Sequence, residues 1–211
     1  MIKYVVFDFD GTLVDSKAVF IELYNSMAKE QGYKIMTPDD IDYLRTLSIS
    51  ERCRYLNMPL YKIPFAAARF IKQYRTAIPQ LHFYSGIEEM FTELSVKNIP
   101  LAVLSSNSAK NISDFFTFKD LVVKDIFCSS NIFGKAKVLK KFLAAKKLQP
   151  SEILYVGDEA RDIIACNKVG VKIAWVSWGY DSAEALTGLN PAYEVHAPSE
   201  LLHLISRLSV V

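Results

Sequence analysis

The stretch Val5-Val6-Phe7-Asp8-Phe9-Asp10-Gly11-Thr12-Leu13-Val14-Asp15 decides the fold. It begins as an apolar, β-rich run through Ile2, Tyr4, Val5, Val6 and Phe7, the pattern of a buried strand. Two carboxylates, Asp8 and Asp10, then stand two residues apart where the run meets Gly11. On a continuing strand they would share a face. Gly11 instead permits a sharp turn and a close approach of backbone to a ligand. Like charges held this near are costly unless a cation or a proton relieves them. A buried strand has no structural use for such a pair, so the arrangement asks for a metal. An isolated Asp-Gly dipeptide reads as a plain turn. The apolar run before it, and Thr12, Leu13 and Asp15 after it, argue for more.

Working outward, the next segment changes character. From Ser16 to His82 the apolar residues recur at helical spacing: Ala18, Val19, Phe20, Leu23, Tyr24 and Met27, then Ile41 and Leu44 after Thr37-Pro38. Ser50-Glu51-Arg52 opens a short third helix, and Ile63-Pro64 a fourth through Ala67, Phe70, Ile71 and Tyr74. No strand is expected there. From Phe83 onward strand-like and helix-like runs alternate to the end of the chain, with strands at 99–104, 122–128, 153–156, 172–176 and 193–195. The fold class this predicts is α/β, a doubly wound, mostly parallel sheet (a Rossmann-like core) carrying an inserted all-helical cap. The expected division is 1–15 and 83–211 for the catalytic core and 16–82 for the cap domain.

The bulk properties suit a folded protein and exclude little else. The chain has 211 residues, 51% hydrophobic and 23% charged, with a net charge of +2 that gives no reason to expect nucleic acid. Lys137, Lys140, Lys141, Lys146 and Lys147 read as a solvated helix face. Cys53, Cys128 and Cys166 are odd in number and show no C-x-x-C spacing, which fits buried thiols in a reducing compartment. The start of the chain carries acids within its apolar run, unlike a signal peptide, and no stretch is apolar enough to cross a bilayer. The expectation is a cytoplasmic protein with no membrane partner, a monomer or a homodimer.

In a parallel sheet, ligands sit outside the carboxyl ends of the strands. Polar residues should therefore gather where each apolar run stops. The first run stops at Asp8 and Asp10, a second at Ser105-Ser106-Asn107, and a third at Gly157-Asp158-Glu159 with Asp162 beyond. Lys135 follows Gly134 at a helix start. This inventory suits phosphoryl transfer, which needs an aligned nucleophile, a metal and charge stabilisation on the phosphoryl oxygens.

The order Asp-x-Asp-Gly-Thr, then Ser after a strand, then Lys, then Gly-Asp-x-x-x-Asp resembles the haloacid dehalogenase-like hydrolase superfamily. It is most similar to the phosphoglycolate phosphatase-like branch, with its helical cap directly after the first motif. The resemblance implies a Mg2+-dependent phosphatase acting on a small phosphorylated metabolite through an aspartyl phosphate. It makes Asp8 the nucleophile and a metal ligand. Asp10 becomes the general acid and base, its carbonyl also binding metal, with Thr12 helping to position it. Ser105 and Lys135 would hold the phosphate with amides from Phe9, Asp10 or Ser106, and Asp158 would be the third metal ligand. Thr12, Glu159 and Asp162 would stand behind these groups, Glu159 as a helix cap or against the metal, Asp162 orienting metal-bound water or Lys135. The branch usually places proline after this lysine; Ala136 stands here, so Lys137 is a rival for the same role. Arg45, Arg52, Lys62 and Arg69 are the cap's candidate substrate contacts. His82, His196 and His203 read as structural, and Trp178-Gly179-Tyr180 as a packing turn. A sugar phosphomutase and a non-catalytic phospho-ligand binder or switch are the rival functions.

Overall fold

The computed structural model describes residues 1–129 and 131–209. Its centre is a six-stranded sheet in the order β5-β4-β1-β6-β7-β8. These strands are β1 (Tyr4–Phe7), β4 (Leu101–Ser105), β5 (Asp125–Cys128), β6 (Ile153–Gly157), β7 (Lys172–Val176) and β8 (Tyr193–Val195). Every pairing within it is parallel, with Val5 opposite Leu101 on one side and opposite Leu154 on the other. The strand order reverses at β1, so the crevice at the switch point opens beside Asp8.

Strand alternation builds two cores. Val5, Phe7, Val103, Leu154 and Val156 face one way, against α5 (Ile87–Val96), α6 (Ala109–Phe118) and α9 (Pro198–Ser209). Val6, Ala102, Leu104, Tyr155, Ile173 and Trp175 face the other, against α7 (Lys135–Lys146) and α8 (Ala160–Val169). Both faces are apolar because both are covered by helices.

The inserted region holds α1 (Lys17–Gln31), α2 (Pro38–Arg45), α3 (Ile49–Tyr55) and α4 (Ile63–Ala77). It has a small core of its own around Tyr24, Ala28, Met36, Leu44 and Leu56. The helical expectation for this segment omitted one element. A two-stranded antiparallel ribbon, β2 (Val14–Asp15) with β3 (His82–Phe83), ties the outgoing chain to the returning one. Strands of two residues leave no periodicity to read, and their pairing partner lies far along the chain. No described helix is long and apolar enough to cross a membrane.

Candidate active site

After β1 the chain does not continue as a strand. Leu13 and Val14 both donate their amides to the Phe9 carbonyl, and the Gly11 amide donates to Val14, so Asp10 sits in a tight loop. Gly11 has φ +80°, and a Cβ there would lie 2.3 Å from Asp158 Oδ2. Only glycine allows both the turn and that approach.

Asp8 is 2% exposed. One carboxylate oxygen accepts the Phe9 amide at 2.7 Å, and the other accepts from Lys135 Nζ. Lys135, the first residue of α7, is equally buried and also donates to Asp162. Burial alone would lower the lysine's pKa, but Asp162 and Asp8 outweigh it and raise the ammonium above its usual value. Burial raises Asp8, opposed chiefly by Lys135 and Arg161. Lys137 lies two residues further along the helix, on its exposed side. The structure thus brings Lys135 to Asp8, and not its rival.

Asp10 is held by neutral donors. Oδ1 accepts Ser16 Oγ at 2.7 Å and Tyr74 Oη at 2.5 Å, while Oδ2 accepts Asn107 Nδ2 at 2.9 Å. Burial raises its pKa, and the three hydrogen bonds offset only part of that. Thr12, expected to position Asp10, donates instead to Asp158 Oδ1 at 2.7 Å. The tight loop turns its hydroxyl toward β6, away from Asp10. Ser105 lies at the end of β4, 1% exposed, its Oγ accepting the Asn107 amide at 3.1 Å. The cap of α6 is Ser108, so Ser105 is not a helix cap. Ser106 Oγ accepts from Arg161 at 3.2 Å.

The acids after β6 divide by the charge of their partners. Glu159 precedes α8 and is ion-paired to Arg161; burial would raise its pKa, but Arg161 and then Lys135 bring it below the usual value, while Asp162 accepts from Lys135 and from the Glu159 amide at 3.2 Å. Asp162 is pushed up to about 6 by burial, against the pull of Lys135. Asp158 has only neutral donors, Thr12 and the Tyr180 amide at 2.7 Å. It is raised well above the carboxylate range by burial and by Glu159, Asp8 and Asp162. Carboxylate oxygens of Asp8, Glu159 and Asp162 approach within 4.8 Å of one another, a buried group able to hold a metal ion. Hard oxygen donors, buried and mutually repelling, fit a divalent cation such as Mg2+. Asp158, the third ligand that the resemblance implies, is not part of that group.

Several contributors were invisible in the sequence reading. Tyr74 read as one apolar position of a helix stripe, Ser16 as a helix cap, and Asn107 as part of a strand-end turn. Arg161 read as a helix start. The Trp178-Gly179-Tyr180 loop is more than packing: a Cβ on Gly179 would lie 2.1 Å from Asp158 Cβ, and Tyr180 Oη meets Ser16 Oγ at 2.8 Å. Of the cap cations, Arg45 is bound to the carbonyls of Ser177 and Gly179, while Arg52 and Arg69 line a cavity that reaches Asp10. Lys62 lies over the Tyr61 ring and does not line it. His82, His196 and His203 are exposed and outside the acidic cluster.

A parallel sheet with acids and a hydroxyl at the ends of β1, β4 and β6, a lysine at the start of α7, and a helical insertion defines a class of hydrolase. The haloacid dehalogenase-like hydrolase family model matches residues 5–176, and the chain belongs to that family. Within it the chain is of the phosphoglycolate phosphatase-like branch. It is 30% identical over 206 residues to a phosphoglycolate phosphatase of Synechococcus elongatus, covering 97% of each chain. A phosphoglycolate phosphatase of Aquifex aeolicus is 28% identical over 96% of both. The fold is similar to that of a haloacid dehalogenase-like family hydrolase from Streptococcus pneumoniae, with a TM-score of 0.80 at 22% identity over 97% of this chain and 98% of that one.

Proposed function

We propose that the protein is a Mg2+-dependent phosphatase that hydrolyses a small phosphorylated metabolite through an aspartyl (acyl) phosphate on Asp8. The observation that carries this reading is the buried Asp8 carboxylate, bonded to Lys135 at the switch point, with Asp10 two residues on, lining the cavity. We take residues 16–82 as the cap domain and the remainder as the core.

Asp8 attacks phosphorus as the ester P–O bond breaks, and Asp10 gives its proton to the departing oxygen. The raised pKa of Asp10 lets it carry that proton. Asp10 then takes a proton from water, whose oxygen attacks phosphorus; the bond to Asp8 breaks and inorganic phosphate leaves. Lys135 balances charge on Asp8 and the phosphoryl oxygens, and Ser105 with the Ser106 amide binds those oxygens. Asp8, the Asp10 carbonyl and Asp158 would hold Mg2+, with Glu159 and Asp162 adjacent. The ion would neutralise phosphoryl charge and fix the phosphate against Asp8.

A panel of phosphorylated metabolites assayed with Mg2+ and with EDTA tests this. We expect Mg2+-dependent release of phosphate, abolished in Asp8→Asn while its circular dichroism is unchanged. Turnover by Asp8→Asn would remove Asp8 as nucleophile, and phosphate returned to a sugar would identify a mutase.

A further inference from the structure

The cavity beside Asp10 has a volume of about 240 Å3. That is roughly twenty times the space one water needs. Asp10, Ser106 and Asn107 line it from the core side, so a phosphate bound against them directs its organic group into the cavity. The walls are supplied by the cap: Leu23 and Met27 from α1, Met36 and Met58 from the connections, and Ala67 and Phe70 from α4. This wall is mostly apolar, with Arg52, Arg69 and Gln73 among its residues, and its methionines can fill around a flexible guest.

The cations on the wall are committed. Arg52 is paired with Asp181, Arg161 with Glu159, and Arg69 with Glu30 through both terminal nitrogens. A second anionic group on the substrate, such as a carboxylate, would compete with these acids for the same cations. A polyhydroxylated group would leave its hydroxyls against methionine and phenylalanine, losing hydrogen bonds to water. An alkyl or other apolar group has neither cost.

Resting on the phosphatase reading, we propose that the substrate is a phosphomonoester of an apolar alcohol, whose hydrocarbon portion occupies the cap cavity. Phosphoglycolate and sugar phosphates are then poor substrates of this chain, whatever its relatives hydrolyse.

The test compares methyl, butyl, hexyl and octyl phosphate with phosphoglycolate and glucose 6-phosphate, using the full chain with Mg2+. In parallel, the affinity of methyl-, butyl- and hexylphosphonate is measured by calorimetry. We expect kcat/KM and affinity to climb with length by about fourfold per methylene. Ala67→Trp, which fills the cavity, should flatten that dependence. Should Ala67→Trp not fold, Met27→Gln serves, by making the wall polar. Hydrolysis of phosphoglycolate or glucose 6-phosphate at least as fast as of hexyl phosphate, with no dependence on length, overturns the inference and leaves the phosphatase reading standing. If no ester is hydrolysed, the phosphatase reading is lost. The phosphonates then decide alone: affinity rising with length keeps the apolar site, and a flat series removes it.

Discussion

Tyr74, in the last turns of the inserted helix α4, donates its hydroxyl to Asp10 Oδ1 at 2.5 Å. The Tyr74 side chain is fully buried. The cap therefore does more than cover the crevice. It supplies one of the groups that orient Asp10, the acid proposed to protonate the leaving group.

Removing that hydroxyl tests the link. A hydrogen bond to an ionised group contributes about 1.5–3 kcal/mol. Tyr74→Phe keeps the ring and its packing on Phe70, and should lower kcat by roughly tenfold or more. KM should change much less, since the proposed phosphate contacts, Ser105 and Lys135, lie in the core. Steady-state kinetics with a generic aryl phosphate reads both; an unaltered kcat would remove Tyr74 from the acid's support.

The two lysines near the start of α7 make opposite predictions. Lys135→Met leaves Asp8 and Asp162 without their counter-ion, and breaking a buried pair of this kind costs about 3–5 kcal/mol. It should cut turnover at least a hundredfold and shift the urea midpoint down. Lys137→Met, at an exposed position, should be within twofold of wild type on both measures. Equal effects of the two would mean the ammonium at Asp8 is dispensable.

Gly179→Ala forces a methyl against Asp158, whose Cβ would be 2.1 Å away. Asp158 must shift, and with it the bond from the Tyr180 amide. Overpacking of this sort costs about 1–3 kcal/mol. Titration calorimetry should show Mg2+ affinity reduced by tenfold or more, and wild-type affinity would argue that Asp158 takes no part in binding the ion.

In the cap, Asp40 accepts from Tyr55 Oη, from the Thr37 amide at 2.9 Å and from Lys34 Nζ at 3.0 Å. Tyr55 first, then Thr37 and Lys34, hold its pKa well below the usual carboxylate range. The sign follows from linkage: a depressed acid stabilises the fold above its unfolded value of about 4, and that stabilisation fades as pH falls further. Asp40→Asn should therefore melt lower than wild type at pH 7, with the gap narrowing below pH 4. Parallel melting curves across pH 7 to 3 would show that Asp40 does not contribute in its ionised form.

Much of this architecture was legible in advance for a local reason. Strands such as 172–176 and helices such as 87–96 announce themselves by burial periodicity, which is a property of consecutive residues. The β2–β3 ribbon was not legible, because Val14 and Phe83 pair across the whole cap and each strand is too short to alternate. At the site, acids at the ends of β1 and β6 were evident from composition, whereas the roles of Ser16, Asn107 and Tyr74 were not. Each of those three looks locally like a cap, a turn or a core residue.

The sequence by itself determined the alternation of strands and helices, the helical insertion, and the placing of Asp8, Asp10, Ser105 and Asp158 at strand ends. Tertiary structure alone decided that Lys135 and not Lys137 reaches Asp8, 127 residues away, and that Thr12 serves Asp158 across 146 residues. It also decided that the cap hands Tyr74 to Asp10. Periodicity records which side of an element is buried, but not which distant group meets it there. That choice is made only when the sheet closes and the cap settles on its edge, because hydrogen bonds and ion pairs act over a few ångströms between atoms the chain order keeps apart.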